Sequence, residues 1–245
     1  MYPVCVRLEL KGMITVKLDL KDNSTRLLCL FLATDLLFII IHLFYSYGDF
    51  ISNSAFSLAQ ERGYAEIFQY IKEYWIALLL GVLAVKQRSV LYLGWSLLFF
   101  YLLLDDSLTI HETLGENASI RLGLQPMFNL QAKDFGEVLV SVCVGLFFLV
   151  FLGIAYRFAK RIPRETSKYL IIMLFVLAAF GIAVDMVHSM LRFTFLEPLL
   201  AMLEDAGEMI VMSVIAGFVF KRTESLYPTL NSLKPQEKTW EEQYR

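Results

Sequence analysis

Residues 102–116, LLLDDSLTIHETLGE, place four chemically capable side chains, Asp105, Asp106, His111 and Glu112, at the end of an apolar run long enough to cross a bilayer. An acidic group in a spanning helix costs roughly 2.5 to 3.5 kcal/mol on insertion scales, so function or specific partners must hold it there. The same interruption recurs in other apolar runs as Asp35 with His42, Asp185 with His188, and Glu204 and Asp205 with Glu208. On a helix, Asp185/His188 (i, i+3), Glu204/Glu208 (i, i+4), Asp35/His42 (i, i+7) and Asp105/Glu112 (i, i+7) each share one face. Those faces should turn away from lipid and converge on one polar site.

Three imidazoles among carboxylates suit Zn²⁺, Fe²⁺ or Mn²⁺, because these cations accept mixed nitrogen and oxygen ligands whereas Ca²⁺ and Mg²⁺ prefer oxygen alone. The candidate ligands are His42, His111, Asp185, His188, Glu204 and Glu208, and the candidate catalytic groups are Asp105, Asp106 and Glu112. A bound divalent transition metal would activate a water as nucleophile, or support redox chemistry if it were iron. The plainer alternative for each histidine is a hydrogen-bonded residue between helices. For Glu204, Asp205 and Glu208, and more so for Asp134 and Glu137, it is a helix first turn whose free N–H groups and dipole favour carboxylates.

The elements that position these groups follow from composition. A chain of 245 residues that is 57% hydrophobic and 14% aromatic, with mean hydropathy +0.57, is too apolar for an ordinary soluble domain. Spans are expected at about 27–47, 70–85, 90–108, 138–158, 169–191 and 199–220, giving an all-α bundle of six transmembrane helices. The first lacks the short apolar core and small-residue cleavage site of a removed signal. All but five of the 22 Lys and Arg residues fall in the tails and even loops if the N-terminus is cytoplasmic; the exceptions are Arg62, Lys72, Arg121, Lys133 and Arg192. Both termini are therefore expected in the cytoplasm, and the polar residues of all six helices in the outer leaflet, with Asp35 near the midplane. Few cations are then available to neutralise the carboxylates, which points to protons, metal ions or water.

Three segments result: 1–25, a cytoplasmic N-terminal segment; 26–222, the membrane domain; and 223–245, a charged cytoplasmic tail with Pro228 and Pro235. Alternation of Val4, Val6, Leu8 and Leu10, then Ile14, Val16, Leu18 and Leu20, around Lys11-Gly12 suggests a short β-hairpin. An unstructured leader, or an extension upstream of a start at Met13, is the alternative. The cysteines, Cys5, Cys29 and Cys143, are odd in number and lack metal-ligand spacing. Gly81 and Gly145 read as close-packing positions.

The run Leu104-Asp105-Asp106-x4-His111-Glu112, with Asp134-Phe135-Gly136-Glu137 and Glu204-x3-Glu208, resembles a group of uncharacterised bacterial multipass membrane proteins with an L-D-E/D-x4-H-E signature. The resemblance implies a bacterial inner-membrane protein and no established activity. Asp106 stands where that group has Glu. Histidine-rich membrane hydroxylases and desaturases, and ceramidase-like hydrolases with H-x-x-x-H, are not matched.

Three functional readings follow. The first is a metal-dependent enzyme acting on a lipid-like or periplasmic substrate. The second is a structural or partner subunit with a buried polar network, in a homo-oligomer or beside another protein. The third is a proton or cation transporter with Asp35 as midplane station. Haem ligation is a poorer fit to a carboxylate-lined pocket. The expected partners are membrane lipid and protein, not nucleic acid.

Overall fold

A computed structural model describes residues 6–10, 14–18, 22–48 and 51–225. Lys11-Gly12, Met13, Asp49 and the tail beyond 225 lie outside the described residues. Strands β1 (Val6–Leu10) and β2 (Ile14–Leu18) pair antiparallel. Their register sets Val6 opposite Leu18, Leu8 opposite Val16 and Leu10 opposite Ile14, the pairing that the period-two pattern favours.

The remaining elements are helical: α1 (Asn23–Tyr47), α2 (Tyr64–Gln87), α3 (Val90–Leu108), α4 (Ile110–Leu122), α5 (Ala132–Phe158), α6 (Arg161–Ala178), a π-helical segment (Ala179–Val184), α7 (Asp185–Met190) and α8 (Glu197–Glu224). Five helices are long and apolar enough to cross a membrane: α1, α2, α3, α5 and the continuous helix Arg161–Met190. The chain is thus an all-α multipass membrane protein. Carboxylates at Glu204, Asp205 and Glu208 interrupt the apolar character of α8, which nevertheless runs antiparallel along α1. Ser24 Oγ donates to Glu224 Oε2 at 2.6 Å, Leu28 packs on Gly217, and Asp35 meets Ser213.

The core joins α2, α3 and α8 through Ile76, Leu80, Leu83, Leu91, Trp95, Phe99, Ile215 and Val219, all nearly or wholly buried. Polar tips inside it are satisfied, as buried aromatics with N–H and O–H groups require. Trp95 Nε1 donates to Ser167 Oγ at 2.9 Å, and the Tyr92 and Thr166 hydroxyls are 3.0 Å apart, tying α3 to α6. Leu36, Phe44, Phe147 and Phe175 face outward, where hydrocarbon would cover them.

Two expectations change. Gly145 has open space around it, whereas α4 and α5 touch at Gly115 and Gly136. A Cβ on Gly115 would lie 2.6 Å from the Glu137 backbone nitrogen, and one on Gly136 would overlap the Gly115 carbonyl. Lys72, counted by sequence among the basic residues of the outer side, is wholly buried between α1 and α8. Its Nζ donates to Asp35 Oδ1 (3.1 Å), the Met209 carbonyl (2.8 Å) and Ser213 Oγ (3.1 Å), and lies 4.8 Å from the centre of the Phe68 ring. Ser213 Oγ donates in turn to Asp35 Oδ2 at 2.5 Å.

All three ammonium protons are used, so removing one partner strands a charge in the interior. Lys72→Met should destabilise the protein by about 3 to 5 kcal/mol. The double variant Asp35→Leu/Lys72→Met should lose less. Thermal unfolding of both in detergent checks this, and equal loss would show that the pair carries no charge penalty.

Candidate functional site

The site begins with a broken helix. Thr109 adopts a left-handed conformation (φ 49°), which ends α3 and restarts the chain as α4. A β-branched residue is rare there, and the side chain of Asp105 supports it. Asp105 Oδ1 accepts the His111 backbone N–H at 2.8 Å, and Oδ2 lies 3.2 Å from His111 Nδ1. The expected shared face of Asp105 and Glu112 is therefore corrected: they stand on different helices. Asp105 caps α4, and Glu112 is half-buried within the electrostatic reach of His111.

A second irregularity lies on the opposite side. The π-helical segment Ala179–Val184 inserts an extra residue per turn just before Asp185, a feature that often marks functional sites. It seats Gly181 against the Glu208 carboxylate and Phe180 against Gly207. No larger residue fits at Gly181 or Gly207 without moving those groups. Beyond it, α7 presents Asp185 and His188 to α8, where His188 Nδ1 meets Glu204 Oε2 at 2.9 Å. One ligand atom each from Asp185, His188 and Glu204 falls within 4.8 Å of the others, and all three residues are half-buried. Among the described residues this is the group arranged to hold a metal ion.

Other acidic residues lie within electrostatic reach of this group. Glu208 Oε2 accepts from Gln69 Nε2 at 3.4 Å and lies within electrostatic reach of Asp106, Asp205 and Asp185. The Asp106 carboxyl is in hydrogen-bonding reach of Glu73, and its backbone carbonyl accepts from Tyr70 Oη at 3.1 Å. Glu137 and His111 face the same space. Asp134 Oδ2 instead accepts the Gln131 N–H at 2.8 Å, closing a capping box at the start of α5.

His42, expected among the ligands, is not brought into the group. Its Nδ1 accepts the Leu58 N–H at 3.1 Å, with the Ser57 hydroxyl at 3.4 Å, and Nε2 is 3.4 Å from Ser46 Oγ. The loop after α1 folds back and occupies the ring. His111 lies within electrostatic reach of Asp185 but pairs with Asp105 rather than with the three-residue group. Glu73 and Gln69 belonged by sequence to the outer-leaflet polar residues but not to the candidate ligands or catalytic groups. Their signal was the i, i+3, i+7 set Glu66, Gln69 and Glu73 on one face of α2.

The fold and site define a multipass membrane protein with a partly buried His/Asp/Glu cluster able to coordinate a metal. Residues 27–221 match a family described as a domain of unknown function (DUF8692), and the chain belongs to it. No curated protein and no solved structure matches.

His111 lies on α4, outside the spanning helices. The Asp105 carboxylate beside its ring, with Asp106 and Glu112 adding charge, pushes its pKa up to about 9 despite partial burial. A value raised on folding means that the folded form holds the proton more tightly. The stabilisation is complete below the unfolded value of about 6.5 and disappears as pH rises through about 9. Wild type should lose thermal stability between those limits, and His111→Gln should flatten that part of the profile. An unchanged slope in the variant would exclude His111 as the group responsible.

Proposed function

We propose that this protein binds a divalent transition metal, Zn²⁺, Fe²⁺ or Mn²⁺, through Asp185, His188 and Glu204, and uses it as a metal-dependent membrane enzyme. The single observation behind this reading is the convergence of one imidazole and two carboxylates to within 4.8 Å on two helices. His188 Nδ1 and Glu204 Oε2 meet at 2.9 Å as hydrogen-bond partners, and would need to separate only to about 3.3 to 3.6 Å to become tetrahedral neighbours about 2.0 to 2.2 Å from an ion. Three protein ligands leave positions open for water and substrate, as in catalytic rather than structural sites. When bound, the metal supplies Lewis acidity and an activated water. Asp106, Glu112 and Glu208 would be the groups that take or give protons in this reading.

In this reading α8 is the sixth span, since it follows α1 antiparallel and its end meets the start of α1 through Lys221 and Asp22 at 3.1 Å. The basic loop Arg157, Lys160, Arg161 and Arg164 and both termini are then cytoplasmic, residues 26–222 are the membrane domain, and the site opens to the outer leaflet of a bacterial inner membrane. A lipid-like or periplasmic substrate follows from that depth.

Single cysteines at Asn117 on α4 and at Lys160 test the topology in a cysteine-free background. An impermeant reagent applied to intact cells should label Asn117Cys alone; labelling of both from one side rejects the arrangement. For the metal, protein purified without added metal should contain it on elemental analysis, and His188→Ala should lower its affinity by about 10-fold or more with the yield of folded protein preserved. Glu61→Ala, an exposed carboxylate in the outer loop, should change neither. Wild type free of transition metal under conditions that spare weak sites would refute the metal reading.

A further inference from the structure

Helix α3 carries Asp105 and Asp106 at one end, and its other end lines a cavity of about 340 Å³ that the proposed reaction does not use. The cavity lies between the α2–α3 turn and the connection from α5 to α6. Its inner wall rests on Gly94 of α3, which lets the Phe151 ring of α5 approach so closely that a Cβ would come within 2.7 Å of it. Ile154 and Phe158 extend that wall onto the exposed apolar surface of α5, where hydrocarbon would cover it.

The rim, by contrast, offers donors. Gln87 Nε2 is buried there without a hydrogen-bond partner among the described residues. Arg88 and Lys160 stand beside it; neither has a carboxylate partner among the described residues, and no Asp or Glu lines the cavity. Neighbouring Arg164 is committed to the Tyr156 and Arg157 carbonyls (2.9 and 2.7 Å), and Lys168 to Glu165 (3.2 Å). Helix ends add to the asymmetry. The last carbonyls of α2 take the Arg88 and Ser89 N–H groups and those of α5 take Arg164, whereas the first turn of α6, at Lys160 and Pro163, has no side-chain cap for its N–H groups.

A buried donor left unpaired is costly, so an acceptor from outside the chain is called for. We propose that this cavity binds one anionic phospholipid, with its phosphate on Gln87, Arg88 and Lys160 and an acyl chain along Phe151, Ile154 and Phe158. Basic pockets between spanning helices recognise lipid phosphates in this way. The apolar wall, continuous with the lipid-facing surface, selects a lipid over a free anion. Arg88 also sits in a left-handed conformation (φ 48°) at the end of α2, a position that suits glycine, so Arg88→Gly removes the cation without straining the turn.

The test uses the full chain in detergent, stripped of lipid and titrated with phosphatidylglycerol, phosphatidylcholine or inorganic phosphate, read by native mass spectrometry and thermal unfolding. Wild type should bind one phosphatidylglycerol about 10-fold more tightly than phosphatidylcholine of matched chains, and unfold at a higher temperature with it. Arg88→Gly and Lys160→Gln should each weaken that binding about 10-fold, with the lipid-free Tm of Arg88→Gly equal to wild type or higher. Gln87→Leu, which removes the orphaned donor, should raise the lipid-free Tm and shrink the gain on adding lipid. Lys168→Gln, on the exposed side of α6, and His188→Ala, at the metal site, should bind phosphatidylglycerol as wild type does. Equal affinity for the two lipids, or binding that Arg88→Gly and Lys160→Gln leave unchanged, would overturn the site. The same weakening by Lys168→Gln would show attraction to a basic surface only and overturn it too. Full stabilisation by inorganic phosphate would overturn the lipid in favour of a free anion.

Discussion

A carboxylate taken out of water must find a compensating positive charge, and much of this bundle is an answer to that requirement. Asp35 finds Lys72, a pair buried so completely that it ties α1, α2 and α8 together at one depth. Asp105 finds the His111 ring and the His111 N–H in the first turn of α4. Glu204 finds His188. Glu73 is wholly buried with neither carboxylate oxygen hydrogen-bonded among the described residues, and Asp106 and Glu208 lie within its electrostatic reach.

Two backbone irregularities make the convergence geometrically achievable. Had α3 continued through Thr109, Asp105 and Glu112 would have lain one above the other and the acidic end of α3 would have projected past the bundle. The left-handed residue folds the chain back as α4, and the close contact of Gly115 with Gly136 fixes α4 on α5. On the far side, the π-helical segment turns Asp185 and His188 toward α8 while its own Gly181 makes space for Glu208. Each irregularity carries a local cost that its partner contacts offset, a pattern common where backbone strain is retained for function.

The sequence was informative where periodicity and burial agree. Long apolar runs located the spans, and the i, i+3 spacing of Asp185 with His188 survived because both residues lie beyond the π-helical segment, on the regular turn of α7. It was misleading where a polar residue decides its own environment. Lys72 counted by sequence among the few basic residues on the outer side, and only the position of Asp35 on a different helix reveals the buried pair. His42 had the right residue type, spacing and depth, yet two N–H or O–H donors from the loop after α1 reach its Nδ1 first. No local pattern announces the π-helical segment, whose Gly181 and Phe180 meet Glu208 and Gly207 of α8, whereas the break at Thr109 is held by the nearby pair Asp105 and His111.

The same accounting bears on whether ions would pass through the bundle. A transport path needs polar stations on both sides of the midplane that can exchange partners. Asp35 is the only acid of α1, and it accepts from both Lys72 and Ser213 with 1% of its surface exposed, so releasing it would strand the ammonium. Past that pair the interior is occupied by Ile76, Leu80, Leu83, Phe99, Ile215 and Val219, packed without a lining of carboxylates. The hydroxyl and indole groups that do occur there, at Tyr92, Trp95, Thr166 and Ser167, are already bonded to each other. Among the described residues, the core past the Lys72–Asp35 pair thus offers a cation no further carboxylate.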